Sequence, residues 1–506
     1  MHRRMALGLL GLVLLAGCGG LGKKKYAVEV QATNIAGKVV LKNNGTDALT
    51  IQSPGTYAFS QKLYDGASYL VTVEKRPFFR NCVLTDAAGT ISKSNALVKL
   101  ACPLKAWQAS QEVGDAGTSP GTWAQVAAAW PSGDAVVAWA AKVGASYRLH
   151  ARTYSGGSWQ AAVKVAESGD GLGLPALASG PEGEALLVWY ENVGGSLELR
   201  WSRLSGGSWT TPATLAGPIT WAGPVPPALD MNENGQAIVV WAHNPGPGFR
   251  VYARRYANGA WSSSVNLDNG SAQGAYPAVA VAEDGSALAA WTRVDGGNAY
   301  VSANRYEAGA WQGEEVLSGA FNSQTLPSVA VEGGRGLVTW WQTAPGETKV
   351  FAATYEGSWS GPELLGSDAS GSAAFPQAGL DAEGRGLVVW TQDQGGTRVV
   401  TYATYENGWQ PGSVLSPNTG GDADPVSLAL DKSGHGVAVW AQASAVGDVV
   451  YATRFTKGAP DAPEVITAPG VIEAVFPEVA LAPTGDAVAI WWQDDGNQRV
   501  YANLLR

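Results

Sequence analysis

The side chains able to do chemistry are few in kind and scattered over the 506 residues. Acidic residues Asp268, Asp368, Asp422 and Asp424 fall in corresponding loops of a repeating pattern. Cleaving a glycosidic bond with carboxylates needs two of them about 5 to 9.5 Å apart across the sugar, and spacing along the chain does not pair these. Arg152, Arg203, Arg254, Arg255, Arg305 and Arg454 recur on one predicted strand of the pattern. Of four histidines, His150, His243 and His435 lie in different repeats, which argues against a structural zinc site. No phosphate-binding Gly-rich loop, Gly-x-Ser-x-Gly nucleophile turn or calcium loop is present. The sequence therefore predicts no catalytic set, no metal and no cofactor.

A better candidate is a set of polar and aromatic residues just after a recurrent tryptophan. The chain reads Trp340-Trp341-Gln342, Trp390-Thr391-Gln392, Trp440-Ala441-Gln442, Trp491-Trp492-Gln493 and Trp189-Tyr190-Glu191. Amide groups beside Tyr190, Trp341 and Trp492 suit stacking and hydrogen bonding to a sugar or a peptide. Trp123 and Trp221 stand outside the periodic columns and join the candidate set. The alternative is that the polar groups cap strands and the aromatics seal seams between repeats.

The elements that would position these residues follow from the period. A pentapeptide ending in tryptophan occurs eight times, at Trp139, Trp189, Trp241, Trp291, Trp340, Trp390, Trp440 and Trp491, spaced 49 to 52 residues apart. Six residues before each sits a glycine, from Gly133 to Gly485, which marks a hairpin turn needing positive φ. Each unit holds four strand-like runs, taken in order as a to d. In the fourth unit a is Pro277–Ala282, b is Ala287–Trp291, c is Tyr300–Tyr306 and d is Trp311–Leu317. Strands a and b read as apolar on both faces. Four strands in about 50 residues, repeated, predict an all-β, eight-bladed β-propeller over residues 105–506. The last unit lacks its fourth strand, and Trp107–Val113 matches it, so the first strand closes the last blade. Seven blades plus a terminal hairpin is the competing count.

Two shorter segments precede the repeats. Residues 1–18 run from a basic His2-Arg3-Arg4 through an 11-residue apolar stretch, too short to span a bilayer, to Leu15-Ala16-Gly17-Cys18. This ending resembles the lipobox of bacterial lipoproteins, in which the cysteine is acylated; the resemblance implies palmitate-type lipidation of Cys18 and a membrane contact through that anchor. Gly19 rather than Asp after the cysteine points to the outer membrane of the cell envelope. Residues 19–25 read as a tether, and residues 26–104 as six or seven short strands of a β-sandwich. The run Leu41…Asn44-Gly45…Tyr57…Gly66…Tyr69…Cys82…Cys102 resembles an Ig-like module of bacterial surface proteins. In an oxidising compartment Cys82 and Cys102 are expected to form a disulfide.

The repeats resemble sialidase-like, BNR-type propellers in outline. That family carries Ser-x-Asp-x-Gly-x-Thr-Trp at the c–d turn, whereas this chain has Ala257-Asn258-Gly259-Ala260-Trp261 or Glu406-Asn407-Gly408-Trp409, keeping Gly and Trp alone. With a net charge of −9 spread without long runs, no basic stripe for nucleic acid is present. The expectation is a monomeric, lipid-anchored binding protein for a glycan or a protein, not an enzyme; a glycoside hydrolase or a structural envelope component are the alternatives. Cys18→Ser should move the protein from the membrane fraction to the soluble fraction, or leave it unprocessed. Unchanged detergent partitioning would rule out the anchor.

Overall fold

The computed structural model describes residues 24–115, 125–220, 226–246, 248–323, 325–344, 346–366, 371–417, 419–445 and 447–506. Cys18, Trp123, Trp221 and Asp368 lie outside them. The chain divides between Leu104 and Lys105 into two units. Among the described residues every regular element is a strand.

The N-terminal unit packs two four-stranded sheets face to face. One has the order Gly55–Ala58, Val28–Thr33, Ala96–Ala101, Val83–Thr85; the other is Asp47–Ile51, Val39–Asn43, Ser68–Lys75, Ala88–Thr90. Alternating residues Val28, Val30, Val39, Leu41, Val71, Val98 and Leu100 fill the space between. Cys82 and Cys102 are joined by a disulfide. By the chain-entropy model, closing a loop of this size contributes about 3 kcal/mol.

In the second unit each repeat folds into one antiparallel sheet, and eight such sheets are present among the described residues. Their first strands are Gln125–Ala129, Leu172–Ser179, Ala228–Met231, Gln273–Val281, Ser328–Glu332, Ala373–Leu380, Ser427–Leu430 and Glu473–Leu481. Each first strand touches that of the next sheet, and the eighth touches the first, so these strands form an inner ring. The arrangement is β-propeller-like. All eight turn glycines take positive φ, between 74° and 85°, as the hairpin requires.

The recurrent tryptophans are buried and tie the sheets together. Trp139, Trp241, Trp340, Trp440 and Trp491 stack on His150, Tyr252, Phe351, Tyr451 and Tyr501 of the third strand, at 5.5 to 6.5 Å between ring centroids. His150 is thus a packing residue. Apolar clusters bridge successive sheets, and one joins the eighth to the first through Trp139, Val137, Ile490 and Trp492.

The eighth sheet has the order Gln111–Asp115, Gln498–Leu505, Ala487–Asp494, Glu473–Leu481, so its outer strand comes from the start of the unit. Ala106 and Arg506 exchange both backbone hydrogen bonds, at 2.9 and 3.1 Å. Lys105, buried, meets Asp486 at 2.6 Å. Arg506 lies over the Tyr154 ring at 4.3 Å, in the role that Arg305 plays over Tyr355 at 3.9 Å between the fourth and fifth sheets.

Two expectations differ in detail. The outer strand is not one run: Ala310–Trp311 and Glu315–Val316 are separate, with Gly313 at φ 110° between them. An outer strand at the rim has no neighbour to hold it straight. The first strands are also not apolar on both faces, and the exceptions matter below.

The closing strand passes so near the first sheet that a Cβ on Gly114 would lie 2.0 Å from Trp139 Cζ2. Gly114→Ala should therefore lower stability by about 1–3 kcal/mol, the usual cost of overpacking. Gly319→Ala, at a glycine outside the positive-φ region and with open space around a Cβ, is the matched control by thermal melting; equal melts would show that closure is not held there.

Candidate active site at the inner rim

The glutamines after the tryptophans are used internally. Trp340, Trp390, Trp440 and Trp491 each donate their indole N–H to the glutamine two residues on, Gln342, Gln392, Gln442 and Gln493, at 2.8, 3.3, 3.1 and 2.9 Å. Trp189 does the same to Glu191 at 2.8 Å. Gln392, Gln442 and Gln493 are buried. The Gln442 amide nitrogen also donates to Pro417 O, Gly421 O and Thr419 Oγ1, and that of Gln392 to Gly371 O. A buried indole N–H needs an acceptor and a buried amide needs partners, so the pair satisfies both and anchors the loop above. Tyr190 and Trp492 are buried, and burial pushes the Tyr190 phenol up. Trp341 is half-buried, tilted against Phe375 at 5.0 Å. This set seals the rim and presents no open ring of amides.

The arginines are similarly employed. Arg152 donates to Gln160 O and Val113 O, Arg203 to Glu184, Arg305 to Glu307, and Arg454 to Lys105 O and Glu464. Arg254 donates to Ser264 Oγ, and Arg255 lies over the Tyr306 ring of the next sheet at 5.8 Å. Among the described residues no group of metal-ligating side chains converges.

What the sequence reading missed lies on the inner strands. Because each is the end strand of its sheet, its inward N–H groups lack a ladder partner and must find one elsewhere. Side chains from the preceding sheet supply it: Ser328 Oγ accepts from Ala378 N at 3.0 Å and Ser427 Oγ from Val479 N at 3.2 Å. Asp230 accepts from Val281 N at 2.7 Å and from Met231 N at 2.9 Å. Its equivalents in the other sheets are Ala128, Ala178, Ala280, Ala330, Gly379, Ala429 and Ala480, and burial pushes its carboxyl up to about 6.

Two rungs earlier the ring reads Val126, Ala176, Ala228, Ala278, Ser328, Gln377, Ser427 and Glu478. Half of it, over the fifth to eighth sheets, is polar. Glu478 has an exposed side chain, yet the surrounding protein desolvates it and pushes its pKa up to about 7. A carboxyl on a concave wall has both properties: water reaches it, but too little to solvate its charge fully. Ser427, fixed by the Val479 amide, donates to Glu478 Oε2 at 2.8 Å. Asp424, in the neighbouring sheet, is also raised, by burial first and then by Asp448, Glu473 and Asp422, with Arg398 opposing. Of the acidic residues singled out from sequence, Asp422 and Asp424 belong to this sector. Asp268 accepts from Val251 N and lies 3.9 Å from Arg250.

The backbone just before this rung is strained. Leu174, Tyr276, Phe375 and Phe476, each followed by proline, take φ of 53° to 54°, in the second, fourth, sixth and eighth sheets. At all four the pairing of first and second strands shifts register. Bulky residues are rarely found at positive φ, and such outliers gather at functional sites. The signal in sequence was the recurrent bulky residue before Pro, legible only once the register is known.

A cavity of about 110 Å³ lies at the opposite rim and is lined by Asp381, Arg385, Tyr405, Glu406 and Lys457 among others. Arg385 and Asp381 pair there at 2.6 Å. With its charges matched internally, this seam offers less chemistry than the Glu478 rim.

No family model and no curated protein matches the chain. Solved structures align with it at low identity. An ulvan lyase of a polysaccharide lyase family aligns at TM-score 0.45 and 10% identity over 66% of this chain and 94% of that one. Polysaccharide lyase Uly1 gives 0.42 and 10% over 65% and 89%, and a puromycin hydrolase mutant gives 0.43 and 16% over 65% and 53%. By their names these neighbours are enzymes, which runs against the expectation of a binding protein without enzymatic activity, and that expectation is withdrawn.

Phe476 is 37% exposed and its backbone is held left-handed. Phe476→Gly and Phe476→Ala lose the same ring, but only glycine takes positive φ without strain, so the glycine variant should be the more stable of the two by about 1 kcal/mol. Equal melting temperatures for the two variants would show that the bend stores no such strain.

Proposed function

We propose that this chain is a cell-envelope enzyme that hydrolyses glycosidic bonds, with Glu478 as the proton donor. Glu478 carries the assignment: a carboxyl reached by solvent, held at one oxygen by Ser427 and pushed up to about 7, remains partly protonated at neutral pH. Protonating the leaving oxygen is the task for which glycosidases raise a carboxyl pKa. Asp424, in the same acidic sector, is the first candidate for the second carboxylate. The exposed rings of Phe375 and Phe476 beside it suit the apolar faces of sugars.

On this reading the eight sheets are the blades of one eight-bladed propeller, and the N-terminal sandwich is an Ig-like spacer. Acylation at Cys18 would hold both at the outer membrane, and His2-Arg3-Arg4 with the apolar run before Cys18 supports export.

Glu478→Gln should abolish release of reducing ends from a neutral polysaccharide, and wild-type kcat/KM should fall as pH rises through about 7. Stability follows the same ionisation. The folded pKa lies above the ordinary 4.5, so the folded chain disfavours the charged form and loses stability as pH climbs from about 4.5 to about 7. The melting temperature of Glu478→Gln relative to wild type should rise across that window. Turnover that persists in Glu478→Gln would sink the assignment.

A further inference from the structure

The same three residues occur at the same place in two sheets. Phe375-Pro376-Gln377 and Phe476-Pro477-Glu478 share a left-handed phenylalanine, at φ 54° and 53°, and the same register shift in the strand that follows. The two rings are exposed to the same degree, 38% and 37%, and both prolines are buried. Leu174-Pro175-Ala176 and Tyr276-Pro277-Ala278 repeat the bend but end on alanine. The bend is therefore common to alternate sheets, and the polar end is peculiar to the sixth and eighth.

Gln377 differs from its neighbours on the polar half of the ring. Ser328 and Ser427 both accept inner-strand amides. The Gln377 side chain is half-buried and makes no hydrogen bond among the described residues. Its amide atoms are not among the buried polar atoms, so solvent reaches two donors and an acceptor that no protein group engages, and a ligand hydroxyl can take the place of that water. The first strand of the seventh sheet touches those of the sixth and eighth, so Gln377 and Glu478 flank Ser427 on one arc.

The rim that leads into this arc is acidic, Asp424 standing just before Ser427 and Glu473 just before Glu478 in their chains. Asp424 is acted on by Asp422, Asp448 and Glu473, with Arg398 as the opposing cation. A chain of uronates or sulfated sugars would meet like charge there.

We propose that Phe375 and Gln377 form a second sugar subsite beside the Phe476–Glu478 subsite, so that the substrate is an uncharged glycan chain long enough to span the sixth to eighth sheets. This rests on Glu478 being the acid of a glycan-cleaving enzyme. Phe375 stacks on one sugar, Gln377 hydrogen-bonds its hydroxyls, and Glu478 acts on the linkage beyond.

The test uses the full chain carrying Glu478→Gln, titrated by calorimetry with hexasaccharides and disaccharides of glucose, xylose and mannose, and with hexagalacturonate at low salt. A neutral hexasaccharide should bind at least about tenfold more tightly than its disaccharide, and Phe375→Ala or Gln377→Ala should each remove most of that gain. Phe375→Tyr should retain it, which separates lost stacking from misfolding. In the active chain the same two substitutions should raise KM for the hexasaccharide and leave kcat nearly unchanged. If Glu478→Gln abolishes cleavage while Phe375→Ala and Gln377→Ala leave KM and the length dependence intact, the subsite is wrong and the acid stands. Hexagalacturonate bound as tightly as the neutral chains would overturn the charge argument. If nothing in the panel is bound or cut, both assignments fall.

Discussion

A ring of sheets that each bury one face against the next has no stable stopping point except closure. In this chain closure is made by backbone hydrogen bonds between Gln111–Asp115 and the final strand Gln498–Leu505, which lie almost the whole unit apart in sequence. Around that seam an arginine lies over a tyrosine ring, as between the third and fourth and the fourth and fifth sheets, with Trp159 edge-on to that ring, and the buried Lys105 pairs with Asp486. The inner ring exists only because the outer one closes.

Once the ring is closed, its innermost strands become eight edges facing one another. An unpaired edge must satisfy its amides, and here short polar side chains from the preceding sheet do so. Ser328, Ser427 and Asp230 are explained by that requirement. Glu478 goes further than the requirement. Its hydrogen bond comes from Ser427, which already serves an amide, and its charge is poorly solvated. Desolvation that raises its pKa to about 7, on a wall that solvent reaches, is what the proposed proton donor requires.

The same contrast separates the two sets of rim residues. In the tryptophan–glutamine pairs the amide oxygen accepts from the indole, and at Gln392 and Gln442 the amide nitrogen also donates to loop acceptors. The phenylalanine–proline bends are the reverse. Phe375 and Phe476 hold unfavourable backbone angles and keep more than a third of their surface in solvent.

The sequence by itself determined the strands, their grouping into repeats and the turn glycines, because these depend on side-chain alternation and on φ, which are local. It also indicated the Cys82–Cys102 bond, since an exported domain with two cysteines has few options. Only the tertiary structure decided which polar residues were free. Gln442 and Gln377 are the same residue type, yet one is enclosed by an indole and three loop acceptors while the other has no partner among the described residues. Nor did the sequence distinguish Glu478 from any acid on a strand. Its shift comes from the mass of neighbouring sheets around the ring, and desolvation is set by everything within reach in space, not by what lies beside a residue in the chain.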